Sequence, residues 1–209
     1  EGLARNVLSA SFNGITLEAS TPILENGFIH LFTWNDKKGK AAFWHSSAHI
    51  LAQSILAIYP QAKLTIGPAI ENGFYYDVDF GDTSFSEKDL PALEKQFLSF
   101  AREKFEFKMR MSNKLDALKF YEKEKNPYKI ELIQNLEDGT ISFCDHADFT
   151  DLCRGGHIPH TGFIKAVKLL SVAGAYWRGD ETKKQLTRIY GISFPKQKDR
   201  PCVFEYIYF

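Results

Sequence analysis

The sequence predicts an α+β fold: a mixed, mostly antiparallel sheet packed with helices. Helix-like and strand-like runs follow one another without a regular βαβ period, which argues against a parallel sheet. Strand-like runs are joined by Asn-Gly pairs at Asn13-Gly14 and Asn72-Gly73, the strongest short-range hairpin signal, and a further run follows Asn26-Gly27. At 209 residues with 44% hydrophobic content, the chain can bury a sizeable core.

Taken in order, Val7 to Phe12, Ile15 to Ala19 and Phe28 to Trp34 read as short strands, and the polar stretch 35–40 as a linker. From Ala41 to Tyr59 the pattern is helical, with Leu51, Ile55, Leu56 and Tyr59 on the packing side, a polar stripe of His45, His49 and Gln53, and Pro60 as the stop. Glu71-Asn72-Gly73 before Phe74 to Phe80 reads as a hairpin. Ser86 and Asp89 form a capping-box variant opening a helix with core positions Leu90, Leu93, Phe97 and Ala101. Phe105 to Met111 alternates apolar and charged residues and predicts a strand with one buried face. Asn113 and Asp116 start a helix to about Glu124, and Pro127 starts a short one through Ile133. Thr140 to Cys144, Ile164 to Ser171 and Gln185 to Phe194 are strand-like, with a loop from Gly174 to Thr182.

No apolar run approaches the ~20 residues of a membrane helix, so a cytoplasmic setting is expected and no membrane partner. Cys144, Cys153 and Cys202 are an odd number without framework spacing, which predicts reduced thiols. The net charge of zero hides an asymmetry: between Asp151 and Arg200 ten basic residues stand against four acidic ones. Among aromatic residues this basic third is a candidate phosphate-facing surface, with Arg154, Arg178, Lys183, Lys184 and Arg188 as candidates for nucleic-acid contact; the plainer reading is a solvated face.

Two short motifs concentrate reactive side chains. His45-Ser-Ser-Ala-His49 and Cys153-Arg-Gly-Gly-His157 each hold two such groups four residues apart. His45, His49, Cys153 and His157 together have the composition of a zinc site. Ser46 stands where the zinc-protease signature requires Glu, which weakens a protease reading. Cys153 is alternatively a nucleophile with a histidine base, or a small buried hydrophobe.

Four segments resemble one family. Phe43-Trp-His-Ser-Ser-Ala-His-Ile-Leu-Ala-Gln53, Ile66-Gly-Pro-Ala-Ile-Glu-Asn-Gly-Phe-Tyr-Tyr-Asp77, Asp151-Leu-Cys-Arg-Gly-Gly-His157 and Leu169 to Asp180 with Arg188-Ile-Tyr-Gly191 are similar to the amino-terminal region of bacterial threonyl-tRNA synthetase. The resemblance implies that residues 1–36 are the carboxyl-terminal half of a ubiquitin-like β-grasp (TGS) domain and residues 37–209 an editing domain, with an atypical tail from about 196. Because the chain begins with Glu1, a fragment lacking its first element is expected. The family's pocket residues fall on His45, His49, Tyr76, Lys129, Asp151, Cys153 and His157. The family motif usually reads Cys-Arg-Gly-Pro-His; Gly156 replaces the proline and is expected to loosen the turn that aims His157.

The implied activity is deacylation of tRNA(Thr) carrying serine, without a required cofactor and without ligase activity, the synthetase core being a partner region outside this chain. Serine is threonine less one methyl, a difference that one pocket discriminates by only ~1–3 kcal/mol, so a second pocket is needed. The rivals are a metal-dependent hydrolase like those acting on mischarged alanine tRNA, with zinc on the four His/Cys residues, and a non-catalytic tRNA-binding module.

Overall fold

The structure, a computed structural model, describes residue 2, residues 5–18 and residues 21–197. The tail 201–209 with Cys202, and the start at Glu1, lie outside the described residues. Among those residues, four α-helices and antiparallel sheets alternate in mixed order, the α+β class the sequence predicts.

Strands β1 (Ser9–Phe12), β2 (Ile15–Leu17) and β3 (Ile29–Phe32) form a small antiparallel sheet in the order β2-β1-β3. Its first hairpin turns at Asn13 and Gly14, with φ of 49° and 85°, the two positive-φ positions a primed turn demands. Leu8 ahead of β1 is buried in the main core, and Trp34 beyond β3 packs edge-on against Phe43, Trp44 and Phe194. The small sheet therefore shares its apolar contacts with the body of the chain.

Helix α1 (Lys37–Ile58) begins within the stretch 35–40, which was expected as a linker. Asp36 at the N-cap accepts hydrogen bonds from the Thr33 backbone N–H and hydroxyl at 2.7 and 2.9 Å. Gly39 lies so close to Thr33 that a Cβ there would sit 2.0 Å from its carbonyl oxygen. Close packing, not flexibility, explains that glycine. From Ala42 to Ile55 nearly every side chain of α1 is buried, and its serines satisfy their hydroxyls on carbonyls one turn back: Ser46 on Ala42, Ser47 on Phe43 and Ser54 on Ile50.

The main sheet runs β10-β11-β6-β4, with β5 also on β6. β4 (Lys63–Leu64), β5 (Ala69–Ile70) and β6 (Gly73–Asp79) include the expected hairpin. The Ser86/Asp89 capping box forms at a 3-10 turn leading into α2 (Leu90–Arg102), whose Leu90, Leu93, Phe97 and Ala101 are buried as predicted. α1 and α2 pack against each other and this sheet.

β7 (Lys108–Ser112) is shorter than the predicted strand and lies at the edge of a third sheet, β7-β8-β9. The predicted face is buried at Phe107 and partly at Met109, which pack on the main core, but not at its end, where Met111 is 65% exposed beside the cleft. α3 (Lys114–Lys123) and α4 (Pro127–Gln134) are capped by Asn113 and Asn126, whose side-chain oxygens accept from the Asp116 and Lys129 amides. With β8 (Ile141–His146) they enclose a second apolar cluster of Ala117, Tyr121, Ile133, Ile141 and Phe143. β9 (Phe149–Leu152), which pairs with β8, is a strand the sequence reading did not include. β10 (Ala166–Tyr176) runs through Gly174, expected as loop, because β11 (Gln185–Phe194) pairs with it as far as Tyr176 opposite Gln185.

Candidate active site

Five parts of the chain deliver the residues that the motifs nominate. α1 carries His45 and His49, β6 Tyr76, α4 Lys129, β9 Asp151, and the loop after β9 Cys153 and His157. The spacing of four on α1 sets the rings of His45 and His49 with centroids 4.8 Å apart. The loop turns through Gly155 and Gly156, both at φ +92°, and is pinned by the Ile158 amide donating to the Ser46 hydroxyl at 3.0 Å. Proline requires φ near ~−65°. Gly156 thus makes a turn that a proline could not adopt, and the turn is held rather than loose.

Cys153 Sγ is a hub. His45 Nε2 lies 3.1 Å from it, His49 Nε2 and His157 Nε2 each 3.3 Å, and the Gly155 N–H donates to it at 3.3 Å. Burial opposes its ionisation, but the neighbouring His49 and hydrogen bonds from His157, His45 and His49 outweigh it and hold the thiol down to about 2, a thiolate. Burial likewise opposes a charge on His157, yet hydrogen bonds to Cys144, Cys153 and Glu18 keep it protonated well above the usual imidazole range. Cys144 is pushed up to about 11 by burial and stays a thiol. His49 is lowered by its complete burial.

Asp151 is the second hub. Lys129 Nζ stands 2.5 Å from Oδ1, Tyr76 Oη donates to Oδ2 at 2.8 Å, and Tyr121 Oη donates to Oδ1 at 3.3 Å. Both phenols are held far up by burial and by the Asp151 charge, so both remain donors. His49 bridges the hubs, with Nε2 on the sulfur and Nδ1 3.7 Å from Asp151 Oδ2.

A cleft of about 1150 Å³, walled on one side by the small sheet, reaches both hubs. His45, His49, Tyr76, Lys129, Asp151 and Cys153 line it, whereas His157 lies behind Cys153 and is fully buried. The ligand atoms of His45, His49, Cys153 and His157 all lie within 4.8 Å of one another and could hold a metal ion. Three imidazoles and a thiolate suit zinc, whose ~2.0–2.3 Å bonds would place tetrahedral ligands about 3.5 Å apart. The donor set fits.

The basic candidates separate. Arg154 is exposed on the cleft and makes no ion pair among the described residues. Arg178 and Lys183 pair with Glu131, and Lys184 with Asp79. Arg188, set opposite Asp77 by the β11–β6 register, grips it at 2.7 and 2.8 Å and lies 3.9 Å over the Tyr75 ring. Three residues of the site escaped the sequence reading. Tyr121 looks like an ordinary core aromatic of an amphipathic helix, Glu18 like a strand-end acid, and His146 belongs to no motif, though it is buried beside Phe107 and Phe149.

Residues 141–190, which carry Asp151, Cys153 and His157, match the family model of the threonyl and alanyl tRNA synthetase second additional domain. The chain is 65% identical over 199 residues to a threonine–tRNA ligase of Flavobacterium psychrophilum, covering 95% of this chain and 30% of that protein. This chain is a homologue of threonine–tRNA ligases. Further relatives of that name are 56% identical in Cytophaga hutchinsonii, over 95% of the chain and 31% of the relative, and 55% identical in Porphyromonas gingivalis, over 94% and 30%. The chain thus spans about a third of the length of these ligases and aligns with their amino-terminal part. Among the described residues, no helix is long and apolar enough to cross a membrane.

Proposed function

We propose that this chain hydrolyses the ester of tRNA(Thr) mischarged with serine, as the proofreading part of a threonine–tRNA ligase in the cytoplasm. Residues 1–36 then belong to a TGS-like unit and residues 37–209 to the editing unit. The observation that carries the reading is the pair of adjoining hubs at the floor of one cleft, an imidazole–thiolate cluster beside a carboxylate–ammonium–phenol cluster. His45 is the least buried of the three clustered imidazoles. With its Nε2–H donated to the Cys153 thiolate, Nδ1 is left with a lone pair to take the proton of an attacking water. The water oxygen bonds to the ester carbon, Lys129 donates to the developing oxyanion, and the ribose oxygen leaves with the proton returned by His45. Gly67 forms a tight wall, since a Cβ there would lie 2.1 Å from the Tyr76 ring. Arg154 at the cleft supplies a phosphate contact.

The convergence of four metal-capable ligand atoms favours a second reading, a zinc-dependent hydrolase. When bound, zinc with an open position supplies a water of lowered pKa; a closed four-ligand site is structural. Seryl-tRNA(Thr) deacylation before and after exhaustive chelation tests both. Activity that survives chelation and is lost in His45→Asn supports the first reading. Activity abolished by chelation and restored by stoichiometric zinc overturns it, and a chain that binds tRNA without hydrolysis is the non-catalytic module.

A further inference from the structure

His157 is fully buried and cannot touch a substrate, so its part in the site depends on what holds it. One of its two ring nitrogens faces the site: Nε2 lies 3.3 Å from Cys153 Sγ. The other, Nδ1, lies 3.2 Å from Oε2 of Glu18, a residue 139 positions earlier, at the end of the second strand of the small sheet. The other carboxylate oxygen, Oε1, accepts the Gly156 N–H at 2.5 Å. A single side chain thus engages both the turn that delivers His157 and the ring itself. The Glu18 carboxylate is only 15% exposed, so both of its oxygens are committed to this turn and ring. Glycine is needed at both turn positions: φ is +92° at each, and a Cβ on Gly155 would lie 2.7 Å from Glu18 Oε1. An imino acid at 156 would have no N–H to give.

A carboxylate behind an imidazole holds the proton of the nitrogen that faces it and fixes how the ring is aimed. We propose that Glu18 is a positioning residue of this site, supplied by the small amino-terminal sheet: it holds the His157 Nδ1–H and so presents Nε2 to Cys153. The site is then a composite of the small sheet and the body of the fold, and the Gly156 turn is stable through Glu18 instead of through a proline ring. The rate effect expected from this rests on the hydrolytic reading; the effect on the ring does not.

The test uses the whole chain with Glu18→Ala and the size-preserving Glu18→Gln, read by long-range proton–nitrogen NMR of His157, assigned with His157→Asn, and by steady-state deacylation of seryl-tRNA(Thr). In the native chain Nδ1 is protonated and hydrogen-bonded. In Glu18→Ala that signature is lost and kcat falls about 10 to 100-fold with KM unchanged, while Glu18→Gln, offering one acceptor for two donors, is intermediate. An unaltered His157 nitrogen pattern in Glu18→Ala overturns the proposal, as does a kcat equal to the native one. If Glu18→Ala does not fold, Glu18→Gln decides on the same criteria. A native chain that releases no serine refutes the hydrolytic reading alone, since the His157 spectra still decide the role of Glu18.

Discussion

Replacing Lys129 by methionine isolates the electrostatics of the Asp151 hub. The two side chains are 3% and 5% exposed and their charged atoms stand 2.5 Å apart. Methionine retains an unbranched apolar stem but neither charge nor donors, so Asp151 is left in a dry site facing the Tyr76 and Tyr121 hydroxyls and the His49 ring, with its ammonium partner gone. Removing one member of a buried pair costs about 3–5 kcal/mol, because the other is stranded. For a chain of this size each kcal/mol moves Tm by about 2–4 °C, which gives a fall of roughly 6–20 °C. Asp151→Asn in the same background removes the stranded charge and restores part of the loss, so the double-mutant cycle shows strong coupling. Urea unfolding followed by circular dichroism measures all four proteins. A Lys129→Met chain within about 1 kcal/mol of native, or a double variant whose losses simply add, refutes this picture of the hub.

Three further outcomes follow from particular contacts. His146 is buried with neither ring nitrogen partnered, and burial holds its pKa down to about 3 against 6.5 for the free group. The unfolded chain then binds a proton that the native one refuses, so stability is intact above pH 6.5 and falls as pH drops from 6.5 towards 3, by up to about 1.4 kcal/mol per pH unit; His146→Phe flattens that loss, and equal acid slopes refute it. Arg154→Gln reduces the salt dependence of tRNA binding by about 0.7–0.9 in log–log slope, while Arg188→Gln leaves the slope alone and lowers stability by breaking the Asp77 grip; the opposite assignment in titrations refutes the separation. Gly67→Ala forces the Tyr76 ring from its place and lowers kcat for seryl-tRNA(Thr), and an unchanged rate refutes the tight wall.

Local chemistry made most elements legible. The Asn13-Gly14 turn, the Ser86/Asp89 capping box and the Asn113 cap each carry their signal within a few residues, and each formed where the sequence placed it. The start of α1 did not, because Gly39 answers to the Thr33 carbonyl, and the end of β10 did not, because pairing with β11 overrides its glycine. The same division runs through the site. The seven motif residues converge around two hubs. Glu18 and Tyr121 act through partners 139 and 30 positions away, and nothing in their own neighbourhoods announces that. Charge was countable from the sequence, but not that Asp77, Asp79 and Glu131 would neutralise four of the five nominated cations.

The central claim is that the cleft selects and hydrolyses the smaller of two esters. The measurement that meets it most directly is the pair of single-turnover rates with which this chain releases serine and threonine from tRNA(Thr). The one-methyl difference predicts serine released about 10 to 200-fold faster. Equal rates, or faster release of threonine, would contradict the account.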